Sequence, residues 1–180
     1  LPPSRELVNS YLKDASLQGY QKIVDYMLAS PRFGERWGRH WLDVARFADS
    51  VGSTKNMLMR QAWRYRDYVI NSFNIDKPYD RFVREQIAGD LLPASSVSER
   101  NEKVIATGFL AIGARSLAEQ DPKLLRSDEI AEQIDTLGRA FLGLNLSCAR
   151  CHDHKFAPIS TKAFYALAGI FQSTQILSGF

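Results

Sequence analysis

The residues best equipped for chemistry lie together late in the chain. They are Cys148-Ala149-Arg150-Cys151-His152, followed by Asp153-His154. The chain has two cysteines, and they sit three apart; two of its three histidines follow within three residues of Cys151. C-x-x-C-H is the attachment pattern of a c-type haem. Each thiol adds its sulfur and its proton across one vinyl group, and the imidazole that follows ligates the iron from the attached face. Three other readings use the same donors. A thioredoxin-like redox pair would need alternating strands and helices around it. A zinc site built from Cys148, Cys151, His152 and His154 would need adjacent donors to share one tetrahedral ion, with no second distant pair. A local disulfide or buried free thiols would need nothing further. Haem c is the leading expectation, with zinc or no cofactor as the alternatives.

A haem iron has a sixth position, which determines its use. Met or His ligation suits electron transfer, whereas an open site suits small-molecule or peroxide chemistry. All three methionines precede Cys148. Met57 and Met59 fall in a loop that could fold over an iron, whereas Met27 lies on an apolar helical stripe and reads as core. His40, beside Trp41, is a candidate bis-histidine partner; its ordinary use would be a hydrogen bond between helices. His154 is too close to His152 to reach the opposite face of one iron. It is expected to order the loop, to contact a propionate or to bind another metal. Arg60, Arg64 and Arg66 among Trp63, Tyr65 and Tyr68 could meet propionates or form a solvated helix edge. Asp128, Glu129 and Asp135 read as carboxylates near a helix start, with calcium as a lesser alternative. Asp43, Arg46 and Asp49 read as ion pairs. No Ser-His-Asp order, phosphate loop or paired-carboxylate site stands out.

The elements that must position these groups are helices. Ser4 and Ser16 read as N-caps. Tyr20, Ile23, Val24, Met27 and Leu28 recur at helical spacing, and Ser30-Pro31 ends one helix and opens the next. Phe33, Trp37 and Trp41 continue on an aromatic face. The spacing predicts further helices over 62–73, around Phe82 to Ile87 with Gly89 as cap, and over 103–112. Residues 50–61, 92–101 and 114–126 read as connections. Ser127 is expected to cap the longest helix, on which Ile130, Ile134, Leu137, Phe141 and Leu144 share a face and which leads to Cys148. Ser160 is expected to cap a last helix carrying Phe164, Leu167 and Phe171. No stretch alternates with period two, so the expectation is an all-α domain of about seven or eight helices, with C-x-x-C-H after a long helix.

At 180 residues the chain is most simply one domain, 1–180. A domain of that size removes about 70% of its unfolded surface from water and needs no metal or disulfide merely to fold. A net charge of +3 is too small to argue for nucleic acid. No apolar run approaches a membrane span. The ends, Leu1-Pro2-Pro3 and Phe180, carry no initiator Met or stop-like tail and read as cuts from a longer protein. Three Trp, seven Tyr and ten Phe would suit the walls of a haem site.

Residues 147–159, Ser-Cys-Ala-Arg-Cys-His-Asp-His-Lys-Phe-Ala-Pro-Ile, resemble the signature of the planctomycete cytochrome C 2 domain, an exported cytochrome-c-like domain of unknown function. So do 28–37, 39–49, 62–70, 74–90 and 164–171, which makes the resemblance nearly chain-long. Ala157 stands where that family usually has Asp in a Phe-Asp-Pro run, and Met57 to Met59 fall where its loops vary. The resemblance implies part of a large periplasmic or extracellular protein. Another cytochrome-c-like domain often precedes such a segment, and a further domain often follows it. It also implies a place beside sulfatases and sugar-degrading enzymes, hence a link to polysaccharide degradation. His40 falls within one of the resembling runs, which favours a functional role for it.

Overall fold

Polar side chains start most of the helices. Ser4 Oγ accepts from the amide of Leu7 at 3.2 Å, Ser16 from Gly19 at 3.1 Å, and Ser160 from Ala163 at 3.1 Å. Such a cap contributes about 1 kcal/mol. The computed structural model describes residues 2–52, 57–115 and 119–174. Within them the helices are α1 (Arg5–Lys13), α2 (Leu17–Leu28), α3 (Arg32–Val44), α4 (Ala62–Asn74), α5 (Tyr79–Ala88), α6 (Val97–Ala106), the single turn α7 (Gly108–Ala111), α8 (Pro122–Leu137) and α9 (Thr161–Gln172). The fold is all-α, with eight helices longer than one turn. Among the described residues there is no strand, only an isolated antiparallel bridge between Ser50 and Leu58.

Two helices start earlier than the apolar periodicity suggests. α6 begins inside the supposed polar connection. Ser96 Oγ accepts from Glu99 N at 3.1 Å, and the Glu99 carboxylate reaches back to Ser95 N at 2.8 Å. α8 begins at Pro122, capped by Asp121, whose carboxylate accepts from Lys123 N at 2.8 Å. Proline suits the first helical position because the missing N–H would have had no partner there. Ser127 is therefore inside α8 and caps nothing.

Two apolar clusters make the core. The first joins Ala45, Tyr65, Tyr68, Val69, Phe82, Ala106, Phe109 and Ile112, with Trp41 and Phe141 packed on it. Gly34 allows the α3–α4 crossing: a Cβ there would lie 2.3 Å from the Ile70 carbonyl. Polar groups inside this cluster are satisfied. Trp41 Nε1 donates to Tyr65 Oη and Gln86 Oε1, each at 3.0 Å. Glu85, 1% exposed, accepts from Lys77 Nζ at 2.5 Å, Arg81 Nε at 2.8 Å and Tyr68 Oη at 2.9 Å.

The second cluster joins Ile130, Ile134, Leu146, Ala149, Phe164, Ala168 and Phe171 across α8 and α9. Leu110 packs on both clusters. The Arg46 guanidinium also ties them together. It holds both carboxylate oxygens of Glu132 and donates to the Phe109 carbonyl at 3.0 Å. α1 and α2 pack on each other but leave Leu12, Tyr20, Met27 and Leu28 exposed. Met27 is therefore not core.

Candidate functional site

The motif is placed by the second cluster. α8 passes at Leu137 into a π-helical turn, Gly138–Leu142, and Gly143 then reverses the chain with φ +65°. The returning segment crosses directly over Gly138: Leu144 N donates to the Gly138 carbonyl at 3.1 Å, and a Cβ on Gly138 would lie 2.4 Å from Leu146 Cγ. A 3-10 turn, Ser147–Arg150, follows. Residues 138–146 thus stand between the long helix and the cysteines, where the apolar spacing alone runs one straight into the other. The turn starts on a buried carboxylate. Ser147 N donates to Asp135 Oδ1 at 3.1 Å, and Arg139 holds the other oxygen of Asp135 at 2.8 Å.

The two residues between the cysteines anchor the turn. Ala149 is fully buried in the second cluster. Arg150 pairs with Asp128 at 2.8 Å and donates to Ser127 Oγ at 3.2 Å, both on α8. Its carbonyl accepts from Tyr165 Oη of α9 at 3.2 Å. In a 3-10 helix, residues three apart eclipse one another, and Cys151 N meets the Cys148 carbonyl at 3.4 Å. Cys148 and Cys151 are both free thiols and both exposed.

The three residues after Cys151 each bind backbone. His152 is exposed, and its Nδ1 lies 2.8 Å from the Asp153 carbonyl oxygen. A carbonyl oxygen only accepts, so Nδ1 carries a proton, and in the neutral ring Nε2 keeps its lone pair. The Asp153 carboxylate accepts from Thr161 N at 2.8 Å at the start of α9. His154 has the opposite tautomer. Its Nδ1 lies 2.9 Å from Ala157 N and 3.2 Å from Phe156 N. Amide N–H groups only donate, so this Nδ1 bears no proton. His154 N donates to the Ile159 carbonyl at 2.8 Å, closing the loop 154–159.

The remaining candidates lie elsewhere. His40 is exposed on α3 with its ring 5.4 Å from Trp37. α3 packs on α4, whereas the motif turn packs on α8 and α9. The segment carrying Met57 and Met59 folds back on 49–51: Val51 N donates to Met57 O at 3.0 Å and Met59 N to Asp49 O at 2.8 Å. Met57 is exposed, and Met59 packs on the first cluster. Residues 53–56 of the 50–61 connection lie outside the described residues.

Asp128, Glu129 and Asp135 are not first-turn carboxylates. Asp128 and Glu129 sit mid-helix and Asp135 in the last turn of α8, and each meets an arginine: Arg150, Arg115 and Arg126, and Arg139 respectively. Of the supposed ion-pair group, Arg46 pairs with Glu132. Arg64 lies over Trp63 at 5.3 Å and Arg66 pairs with its neighbour Asp67 at 2.9 Å, as on a solvated helix edge. Among the described residues, no group of three or more His, Cys, Asp or Glu is arranged to hold a metal ion.

The donor set fits a covalent haem. Two exposed thiols lie at Cys148 within the 3-10 turn and at Cys151 on its cap, and the next residue is an exposed histidine whose Nδ1 is engaged by backbone. The aromatic housing differs from the expectation. Trp41, Tyr65, Tyr68, Phe82, Phe109 and Phe141 pack on one another and fill the first core. Apolar surface beside the motif comes instead from Phe156, 87% exposed, and Tyr165, 56% exposed. Sequence reasoning missed Asp135, Asp153 and Arg150 as supports of the turn. Asp153 reaches the amide of Thr161 across the loop and the other two act across the fold, so none leaves a local pattern.

Together these features define an all-α domain that displays a C-x-x-C-H turn on its surface. The chain belongs to the PSCyt2 family, described as "Protein of unknown function (DUF1549)", which it matches over residues 1–176. No curated protein and no solved structure matches it.

Proposed function

We propose that this is a c-type haem domain that moves electrons within a larger exported protein linked to polysaccharide degradation. One observation carries the reading: the turn buries Ala149 and clamps Arg150, so that Cys148, Cys151 and His152 are left together at the surface. Cys148 and Cys151 would each form a thioether, sulfur to the vinyl α-carbon and proton to the β-carbon, with no net redox change. His152 would bind the iron through Nε2, its ring held by Nδ1–H on the Asp153 carbonyl, as metal-bound histidines commonly are. Haem bound there would supply a one-electron couple between ferric and ferrous iron. His40, Met59 and Met57 remain the candidates for a sixth ligand, and each would need α3 or the 57–59 segment to approach the turn. Partners of the reading are the other domains of the parent protein, among them a second cytochrome-c-like domain, in the periplasm or outside the cell. No helix of the described residues is long and apolar enough to cross a membrane.

The test is expression together with a c-type haem maturation system. The expected result is one haem retained through denaturation, read by intact mass and by a Soret band, and lost in a Cys148→Ala, Cys151→Ala variant. A colourless wild-type protein, made beside a positive control cytochrome, would overturn the reading in favour of a non-haem scaffold with a Cys148–Cys151 disulfide or a metal site.

A further inference from the structure

His154 has the look of a second metal ligand, but the geometry points to another role. We infer that His154 is a positioning residue that acts on the iron ligand His152 through Asp153, an inference that rests on the haem reading above. Its Nδ1 already accepts two amide N–H groups, from Phe156 and Ala157, at 3.2 and 2.9 Å. That atom has no lone pair left for a metal. Its own amide binds the Ile159 carbonyl at 2.8 Å, so one residue closes both ends of the 154–159 loop.

The loop leads directly to α9, and Asp153 is fixed from both sides. Its carboxylate takes the amide of Thr161 at 2.8 Å, and its carbonyl takes Nδ1–H of His152 at 2.8 Å. The distance that the chain must close between Asp153 and Thr161 is set by the loop that His154 ties. Loosening that loop lets the Asp153 carbonyl swing, and the imidazole of His152 loses its orienting acceptor. An Nδ1–H held by a carbonyl makes imidazole a stronger donor and favours ferric iron; a released one favours ferrous iron.

Asparagine separates the possibilities. Its side-chain oxygen accepts amide N–H groups two and three residues on, as His154 Nδ1 does here, but it offers no ring nitrogen to a metal. In apo protein, His154→Ala should speed amide hydrogen exchange at Phe156 and Ala157 by about tenfold or more, the loss of roughly one net hydrogen bond. His154→Asn should restore most of that protection. In the haem-loaded protein His154→Ala should keep covalent haem but raise the reduction potential, and His154→Asn should stay near wild type. Exchange as fast in His154→Asn as in His154→Ala would overturn the backbone role. A potential unmoved in His154→Ala, with the loop opened, would overturn the link to His152. Failure of the haem reading itself would show separately, as wild-type protein that takes up no haem, while the exchange arm still decides whether His154 ties the loop.

Discussion

The two halves of the core use the same residue types in opposite ways. In the first, aromatic rings and charged groups face inward and complete one another: Trp41 with Tyr65 and Gln86, Glu85 with Lys77, Arg81 and Tyr68. In the second, the inward groups are apolar without polar partners among them, from Ala149, Leu146 and Ile134 to Phe164 and Phe171, and the two cysteines are exposed. Aromatic and basic content therefore marks the first core, not the surface that displays the motif. The division is physical. A buried polar network must satisfy every member and leaves none available for chemistry. A surface turn can leave thiols and an imidazole free, provided that residues between them hold the backbone. α8 links the halves, since its carboxylates meet arginines from four other places: Glu132 with Arg46, Glu129 with Arg115, Asp135 with Arg139 and Asp128 with Arg150.

Breaking the first half should unfold the protein without touching the chemistry. Glu85→Ala strands Lys77, whose side chain is 2% exposed, with Glu102 as its remaining partner. Removing one member of a buried ion pair costs about 3–5 kcal/mol, so the urea midpoint should fall steeply while the folded fraction still takes up haem. Burial alone would push the Glu85 carboxyl up, but hydrogen bonds from Lys77, Arg81 and Tyr68 outweigh it and hold it below its ordinary 4.5. Nearby Glu99, bonded by Lys103 and Ser95, is held down to about 2. Both groups bind protons more readily when unfolded, so their contribution is complete above 4.5 and is lost as pH falls toward 2. Urea midpoints should drop across that window, and Glu85→Gln should flatten part of the slope. An equal slope in the variant would remove Glu85 from the account.

Breaking the second half should do the reverse. Ala149 has no exposed surface, and overpacking such a site costs about 1–3 kcal/mol. Ala149→Leu should therefore destabilise less than Glu85→Ala. By pushing the turn off α8 and α9, however, it should cut the yield of covalent haem per folded molecule several-fold. Attachment at wild-type yield, with the same loss of stability, would show that the buried alanine serves packing alone.

Part of this contrast is legible in the amino-acid sequence. The helices around Ser4, Ser16, Ser160 and the 62–73 run follow from caps and apolar spacing, which are local signals. The starts of α6 and α8 escape the same reasoning because Ser96, Asp121 and Pro122 look like loop residues when no apolar stripe follows at once. The motif itself is plain, and its donors are the ones displayed. Its supports are not, because Asp135 to Ser147 and Arg150 to Asp128 are contacts that only the reversal at Gly143 creates. Trp41 and its neighbours mislead for a different reason. Composition reports aromatic content but not whether the rings face one another or a vacant space.

The smallest effect is the sharpest test of how the turn is held. The Arg150–Asp128 pair is partly exposed, at 33% and 47%, and such pairs contribute about 0–1 kcal/mol. Arg150→Ala should therefore leave the urea midpoint nearly unchanged. The bonds to Asp128 and Ser127 also fix the peptide between the cysteines, and Tyr165 still holds the Arg150 carbonyl from α9. With one of its two anchors gone, the turn keeps its place but loses rigidity, so the rate of haem attachment should fall while the final yield does not. A Tyr165→Phe change in the same background removes the second anchor and should then lower the yield as well. If the double variant attaches haem as fast as wild type, the buried methyl of Ala149 and the Ser147–Asp135 bond hold the turn without Arg150 and Tyr165, and the arginine between the cysteines belongs to α8's charge balance instead of to the site.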